Sequence, residues 1–210
     1  MKRSFEEELR NFMGRFEGED PRLRDIYRRV ASLRTMNSHH AMMEIVVANY
    51  LLSEGRSVFV EEELDGKILD IYSPEPGDVM GVEVETGYVP AEFSHAPEEY
   101  LMARFSTKIA RYGPLVDRFY IAISSYLLPM IPGELLKSPE DRDTDRLKNL
   151  VRLIRKFNGS PEIDVKGLTR AKLDGIMMVD LSRVQVYHLD LQDVRSLTRI
   201  LRRHTGRRRR

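Results

Sequence analysis

Asp70 interrupts the apolar run Ile68-Leu69-Asp70-Ile71-Tyr72, and the next apolar run, Val82-Glu83-Val84-Glu85, carries two more acids. Side chains alternate across a strand, so Glu83 and Glu85 share one face, and a neighbouring strand bearing Asp70 brings a third carboxylate beside them. Clustered carboxylates repel one another and resist desolvation unless a cation or a hydrogen-bond network compensates. For an all-oxygen set the usual cation is Mg²⁺ or Mn²⁺.

The elements around these acids can be read from periodicity. Pro21 opens a helical pattern in which Leu23, Ile26, Tyr27, Val30 and Leu33 recur at spacings of three and four. A second helix is expected from the cap Ser38 to Glu54, stopped by Gly55. Strands are expected over 57–63, 67–73 and 79–86, the first two joined by the hairpin pair Asp65-Gly66. A helix over 97–112 and a buried strand over 118–124 follow. The order is helix, three strands, helix, strand. Beyond it the pattern gives a charged helix over 139–157, a short helix near 168–173, strands over 176–180 and 183–188, and a last helix capped by Asp190.

With Glu44 in the preceding helix, Asp70, the Glu83-Val84-Glu85 strand and a following helix rich in basic residues, residues 38–124 resemble the PD-(D/E)xK nuclease superfamily, which includes restriction endonucleases and archaeal Holliday-junction resolvases. The resemblance implies an α/β domain, a restriction-endonuclease-like αβββαβ core whose mixed central sheet of about five strands is flanked by helices, with further C-terminal strands and helices. It makes Asp70 the central metal-bridging acid, Glu83 the second ligand, the Val84 carbonyl a third, and Glu44 the helix-borne acid that completes the site. Hard oxygen ligands of this kind hold a magnesium or manganese ion that polarises a phosphodiester. Where the family pattern has lysine, this chain has Glu85, and the resemblance leaves as catalytic candidates for that place either Glu85 itself, as a further acid at the metal, or Lys108 on the next helix, with Lys67 a weaker substitute. Lys108 shares a helix face with Arg104 and Arg111, which are expected to contact phosphate. His39 and His40 read as cap-region residues.

At 210 residues the chain suits one well-buried domain, expected over 21–201 after a lead segment over 1–20. The absence of cysteine removes disulfides, thiolate zinc sites and cysteine nucleophiles. No apolar stretch approaches the roughly 20 residues of a membrane span. The acidic opening Ser4-Phe5-Glu6-Glu7-Glu8 is unlike a secretory signal, so a cytoplasmic protein without membrane contact is expected. Lysine supplies only eight of the 34 basic residues, a bias toward arginine that points weakly to a thermophilic, archaeal-type source. Arg202 and Arg203 with Arg207, Arg208, Arg209 and Arg210 form a basic tail over 202–210, and the last four suit contact with a polyanion.

The function these features imply is metal-dependent hydrolysis of nucleic-acid phosphodiesters, with DNA the expected substrate and a homodimer the expected assembly if two strands are cut. The alternative is a catalytically degenerate module of the same fold that binds nucleic acid within a larger assembly.

Overall fold

The computed structural model describes residues 4–16, 20–33 and 37–206. Among the described residues there are seven α-helices and six strands, α1 (Phe5–Met13), α2 (Pro21–Ser32), α3 (Ser38–Ser53), β1 (Phe59–Leu64), β2 (Lys67–Glu75), β3 (Asp78–Glu85), α4 (Pro97–Tyr112), β4 (Arg118–Ser124), α5 (Thr144–Asn158), α6 (Val165–Arg170), β5 (Gly175–Asp180), β6 (Gln185–Asp190) and α7 (Leu191–Gly206).

The strands form one mixed sheet in the order β1-β2-β3-β4-β5-β6. The first three pair antiparallel, β3, β4 and β5 pair parallel, and β6 returns antiparallel. All six strands expected from the sequence thus join one sheet, where a central sheet of about five was expected. The protein is a mixed α/β fold with helices on both faces of the sheet, and the tail arginines Arg207, Arg208, Arg209 and Arg210 lie outside the described residues.

α3 explains one layer. Ile45-Val46-Val47 is a poor helix sequence by propensity, yet nine residues of α3 are buried, and a helix that is apolar around most of its circumference is stable as a packed core element. Asn37, rather than Ser38, caps it by accepting the His40 N–H at 2.8 Å. α1 and α2 pack outside α3, and the helix over Phe5–Met13, in what the sequence suggests is a lead segment, buries Leu9 and Phe12. α4, α5 and α6 make the opposite layer against Phe119, Ile121 and Ile123 of β4.

The two layers assign each strand residue to a face. Met80, Val82 and Val84 of β3 face the α3 layer, which leaves Gly81, Glu83 and Glu85 toward α4, where the neighbouring strand places large apolar side chains. On β2, Leu69 packs into the α4 layer while Ile71 packs into the α3 layer. Residues two apart on a regular strand share a face, so the alternation slips at Asp70. Opposite it on β1, Glu61 adopts a left-handed backbone with φ 52°, unusual for a side chain of its size.

The end of α4 is fixed by a close approach. A Cβ at Gly113 would stand 2.3 Å from the Lys172 carbonyl oxygen, so only glycine fits there. Gly113→Ala is expected to destabilise the protein by about 1–3 kcal/mol in urea unfolding, because the α4 terminus and the Lys172 backbone must separate; an unchanged midpoint would show that the approach is not needed.

Candidate metal centre and active site

The β2–β3 ladder is regular as far as Ile71↔Val82. At the next position side chains take over from backbone. The Asp70 N–H donates to Glu83 Oε1 at 3.2 Å, and the Val84 N–H donates to Asp70 Oδ2 at 2.6 Å. The strands part here, and Asp70, lying where the facing slips, is reached from both layers.

From the α4 side comes Lys108. Its ammonium donates to Glu83 Oε2 at 2.9 Å and to the Val84 carbonyl at 2.7 Å, and it stands 3.6 Å from Asp70 Oδ2. These are the three oxygen ligands that the sequence assigns to a metal, and here they surround a lysine nitrogen. One turn earlier, Arg104 Nε donates to Glu85 Oε2 at 2.9 Å, and the Gly87 N–H donates to Glu85 Oε1. Glu83 and Glu85 are 2% and 1% exposed, so each buried carboxylate is matched by one cation from α4. Arg111 pairs with Glu162, and its backbone carbonyl accepts a hydrogen bond from Lys67. That bond directs Lys67 to the helix backbone.

From the α3 side comes a second group. His40 Nε2 lies 2.9 Å from Glu44 Oε1 and 3.6 Å from Asp70 Oδ2. With Glu61, these residues offer one nitrogen and three carboxylate oxygens, all within 4.8 Å of one another. Glu44 is completely buried, and its Oε2 has no hydrogen-bond partner among the described residues. A buried acceptor without a partner costs roughly 1–3 kcal/mol, which a cation at that point would offset. The donor set fits a divalent ion, and the imidazole shifts the balance from magnesium toward manganese.

The electrostatics separate the two groups. Burial pushes the Glu44 carboxyl up to about 8, aided by the Asp70 charge and opposed by His40. Burial would depress His40, but its bonds to Asp70 and Glu44 raise it to about 10. Asp70 is held down at about 2 because Lys108 and His40 outweigh its burial. Burial raises Glu83 to about 7 against the pull of Lys108. Lys108, which burial alone would discharge, is kept cationic by Glu83, Asp70 and Glu85. At neutral pH the quartet thus holds protons where a metal ion would put positive charge.

No family model, curated protein or solved structure matches the chain.

The candidates named from sequence are therefore regrouped. Asp70 and Glu44 join His40 and Glu61, Glu83 belongs with Lys108, and Glu85 is taken by Arg104. His40 and Glu61 were not among the ligands expected from sequence. The spacing of His40 and Glu44, four apart on one helix, is a legible ligand signal. Glu61 sits among Glu61-Glu62-Glu63, and only its backbone conformation singles it out.

His39 makes a separate cluster, its Nε2 lying 2.8 Å from Ser124 Oγ and 3.1 Å from the Tyr126 hydroxyl. Ser124 is buried at the end of β4 and also reaches Met43 Sδ, so this cluster ties α3 to β4.

Proposed function

We propose that this chain is a metal-dependent phosphodiesterase acting on nucleic acid, with DNA the expected polymer, on a restriction-endonuclease-like core. The observation that carries the reading is the double engagement of Asp70, by a His40–Glu44–Glu61 ligand set on one side and by the Glu83–Lys108 pair on the other. An ion held by His40, Glu44, Glu61 and Asp70 would supply Lewis acidity beside the phosphate.

The protein's own groups do the rest. Lys108 stays charged and donates an N–H to a non-bridging phosphate oxygen, neutralising charge as it builds. Glu83, poised near 7, accepts the proton of the attacking water as its oxygen bonds to phosphorus. The bond from phosphorus to the sugar oxygen then breaks, and that oxygen takes its proton from solvent. Arg104 keeps most of its guanidinium N–H groups after binding Glu85 through Nε and can hold a neighbouring phosphate.

One observation favours the non-catalytic alternative. The Lys108 ammonium occupies the Glu83 and Val84 oxygens that would otherwise bind a metal. The readings part in a cleavage assay with labelled single-stranded, duplex and four-way-junction DNA in magnesium, manganese or chelator. Metal-dependent cutting is expected, reduced about 10²–10³-fold or more in Asp70→Ala. Binding without cutting under every condition would leave the degenerate module.

Among the described residues no helix is long and apolar enough to cross a membrane.

A further inference from the structure

A cavity of about 500 Å³ opens beside Asp70 and Glu83, walled by α4 and by the chain leaving α5. Three cations, Arg104, Lys108 and Arg111, line it, each paired with a carboxylate, so an anion there would be received by the N–H donors that those pairs leave over. It is more than a phosphate site, because Tyr100, Tyr112 and Phe157 also form its wall. Flat apolar faces next to cations suit a base joined to its phosphate.

The far wall is shaped by the end of α5. Gly159 adopts a left-handed conformation with φ 56°, as helix C-terminal glycines do, and the turn brings Ser160 to the cavity. Ser160 is 6% exposed, and its hydroxyl can serve the cavity wall as donor or acceptor. Asn158 is oriented by donating from Nδ2 to Thr107 Oγ1 at 2.7 Å, which leaves its Oδ1 and one N–H unused. A hydroxyl on the wall and an oriented amide with both polarities to spare suit the edge of a base.

Resting on the nuclease reading above, we infer that this cavity takes one unpaired nucleotide, its phosphate on Lys108 and Arg111 and its base between the aromatic wall and Asn158–Ser160. Cavities of roughly 300–1,000 Å³ enclose single small molecules, and a stacked base pair does not enter one. The preferred substrate is then a strand end, a single strand or an extruded nucleotide, and paired interior positions are cut slowly.

The test has a binding arm and a cutting arm. In the binding arm the full chain, in chelator and then in manganese, is titrated calorimetrically with deoxyadenosine monophosphate, deoxyadenosine and inorganic phosphate. The monophosphate is expected to bind at least about tenfold tighter than either half. Arg111→Gln, at a half-exposed position, is expected to weaken the two phosphate-bearing probes about tenfold and to spare the nucleoside. Ser160→Leu is expected to remove nucleoside binding; Arg111→Gln reads the same cavity should that variant misfold. In the cutting arm, one sequence is presented single-stranded, fully paired, and paired with a one-nucleotide bulge. Cutting at the unpaired positions at least about tenfold faster supports the inference. Cutting of all three at equal rates, with no selective monophosphate binding, overturns it and leaves the nuclease standing. Selective binding with no cutting of any DNA keeps the cavity and removes the nuclease.

Discussion

Replacing Lys108 with methionine is expected to cost roughly 3–5 kcal/mol of stability at pH 8, the range found when a buried ion pair loses one partner, and far less at pH 5. Among the described residues the ammonium is the only cation paired with Glu83, and it shares Asp70 with His40. Without it, Glu83 retains one hydrogen bond, from the Asp70 N–H, for a carboxylate removed from water. The carboxyl titrates near 7 even with lysine present, so at pH 5 it takes up a proton and the missing cation is felt weakly. Manganese should restore part of the loss, because the variant exposes three oxygens of Glu83, Val84 and Asp70 that lysine had occupied. Urea unfolding at both pH values, with and without manganese, reads this directly. An equal loss at pH 5 and pH 8 would mean that the methylene stem of Lys108 matters and its charge does not.

Glu44→Gln is expected to have the reverse character, stabilising the metal-free protein at pH 8 by roughly 1–3 kcal/mol while removing its response to manganese. In the natural chain a carboxyl raised from 4.5 to about 8 keeps its proton in the folded state after the unfolded state has lost it. Its favourable contribution is complete below pH 4.5 and is withdrawn as pH rises through 8. Glu83, raised to about 7, acts in the same direction, and so does His40, whose contribution is complete below 6.5 and lost through about 10. Asp70 opposes them only at the acid end, losing its contribution as pH falls from 3.8 through about 2.

Metal-free stability should therefore peak near pH 4–5 and decline toward pH 10, with a slope approaching about 1.4 kcal/mol per pH unit for each proton released. A divalent ion replaces those protons, so manganese at about 100 times its dissociation constant at pH 8 should add about 2.7 kcal/mol there and the same concentration should add less at pH 6, with proton release visible as a buffer-dependent heat. Glutamine at position 44 keeps a hydrogen bond to His40 and provides an N–H for Glu61, which removes the need for a cation. A manganese-induced shift of equal size in Glu44→Gln would place the ion elsewhere.

Most element positions follow from patterns that local physics enforces. Pro97 at the first turn of α4, the Asp65-Gly66 hairpin turn and the Asp190 cap that accepts from the Gln192 and Asp193 N–H groups are each decided within a few residues. Boundaries fail where a local signal is ambiguous. Pro139 opens only a short 3₁₀ turn, and α5 begins at Thr144 after its own cap, Asp143. The pairing of Glu83 and Glu85 with α4 was partly legible, since strand alternation gives them one face and helical spacing gives Arg104 and Lys108 another. The slip of β2 at Asp70 was not, because it depends on how two separate layers pull on adjacent residues. The approach of His40 to Asp70 depends on that slip and was hidden for the same reason, although the spacing of His40 and Glu44 was not. Residues 158–160 were unreadable in function because their partners lie on α4, about 50 residues away in the chain.

Asp70 gives the protein an interlock between folding and chemistry. Its carboxylate has the right neighbours only when the helix layer that carries His40 and Glu44 and the layer that carries Lys108 are both seated on the sheet. A nascent or half-docked chain holds at most one set of partners, so it has neither the complete ligand set nor the lysine-bound acid pair. Under the proposed function, hydrolysis would require both layers to be seated, and a partly folded chain would bind its substrate without cutting it.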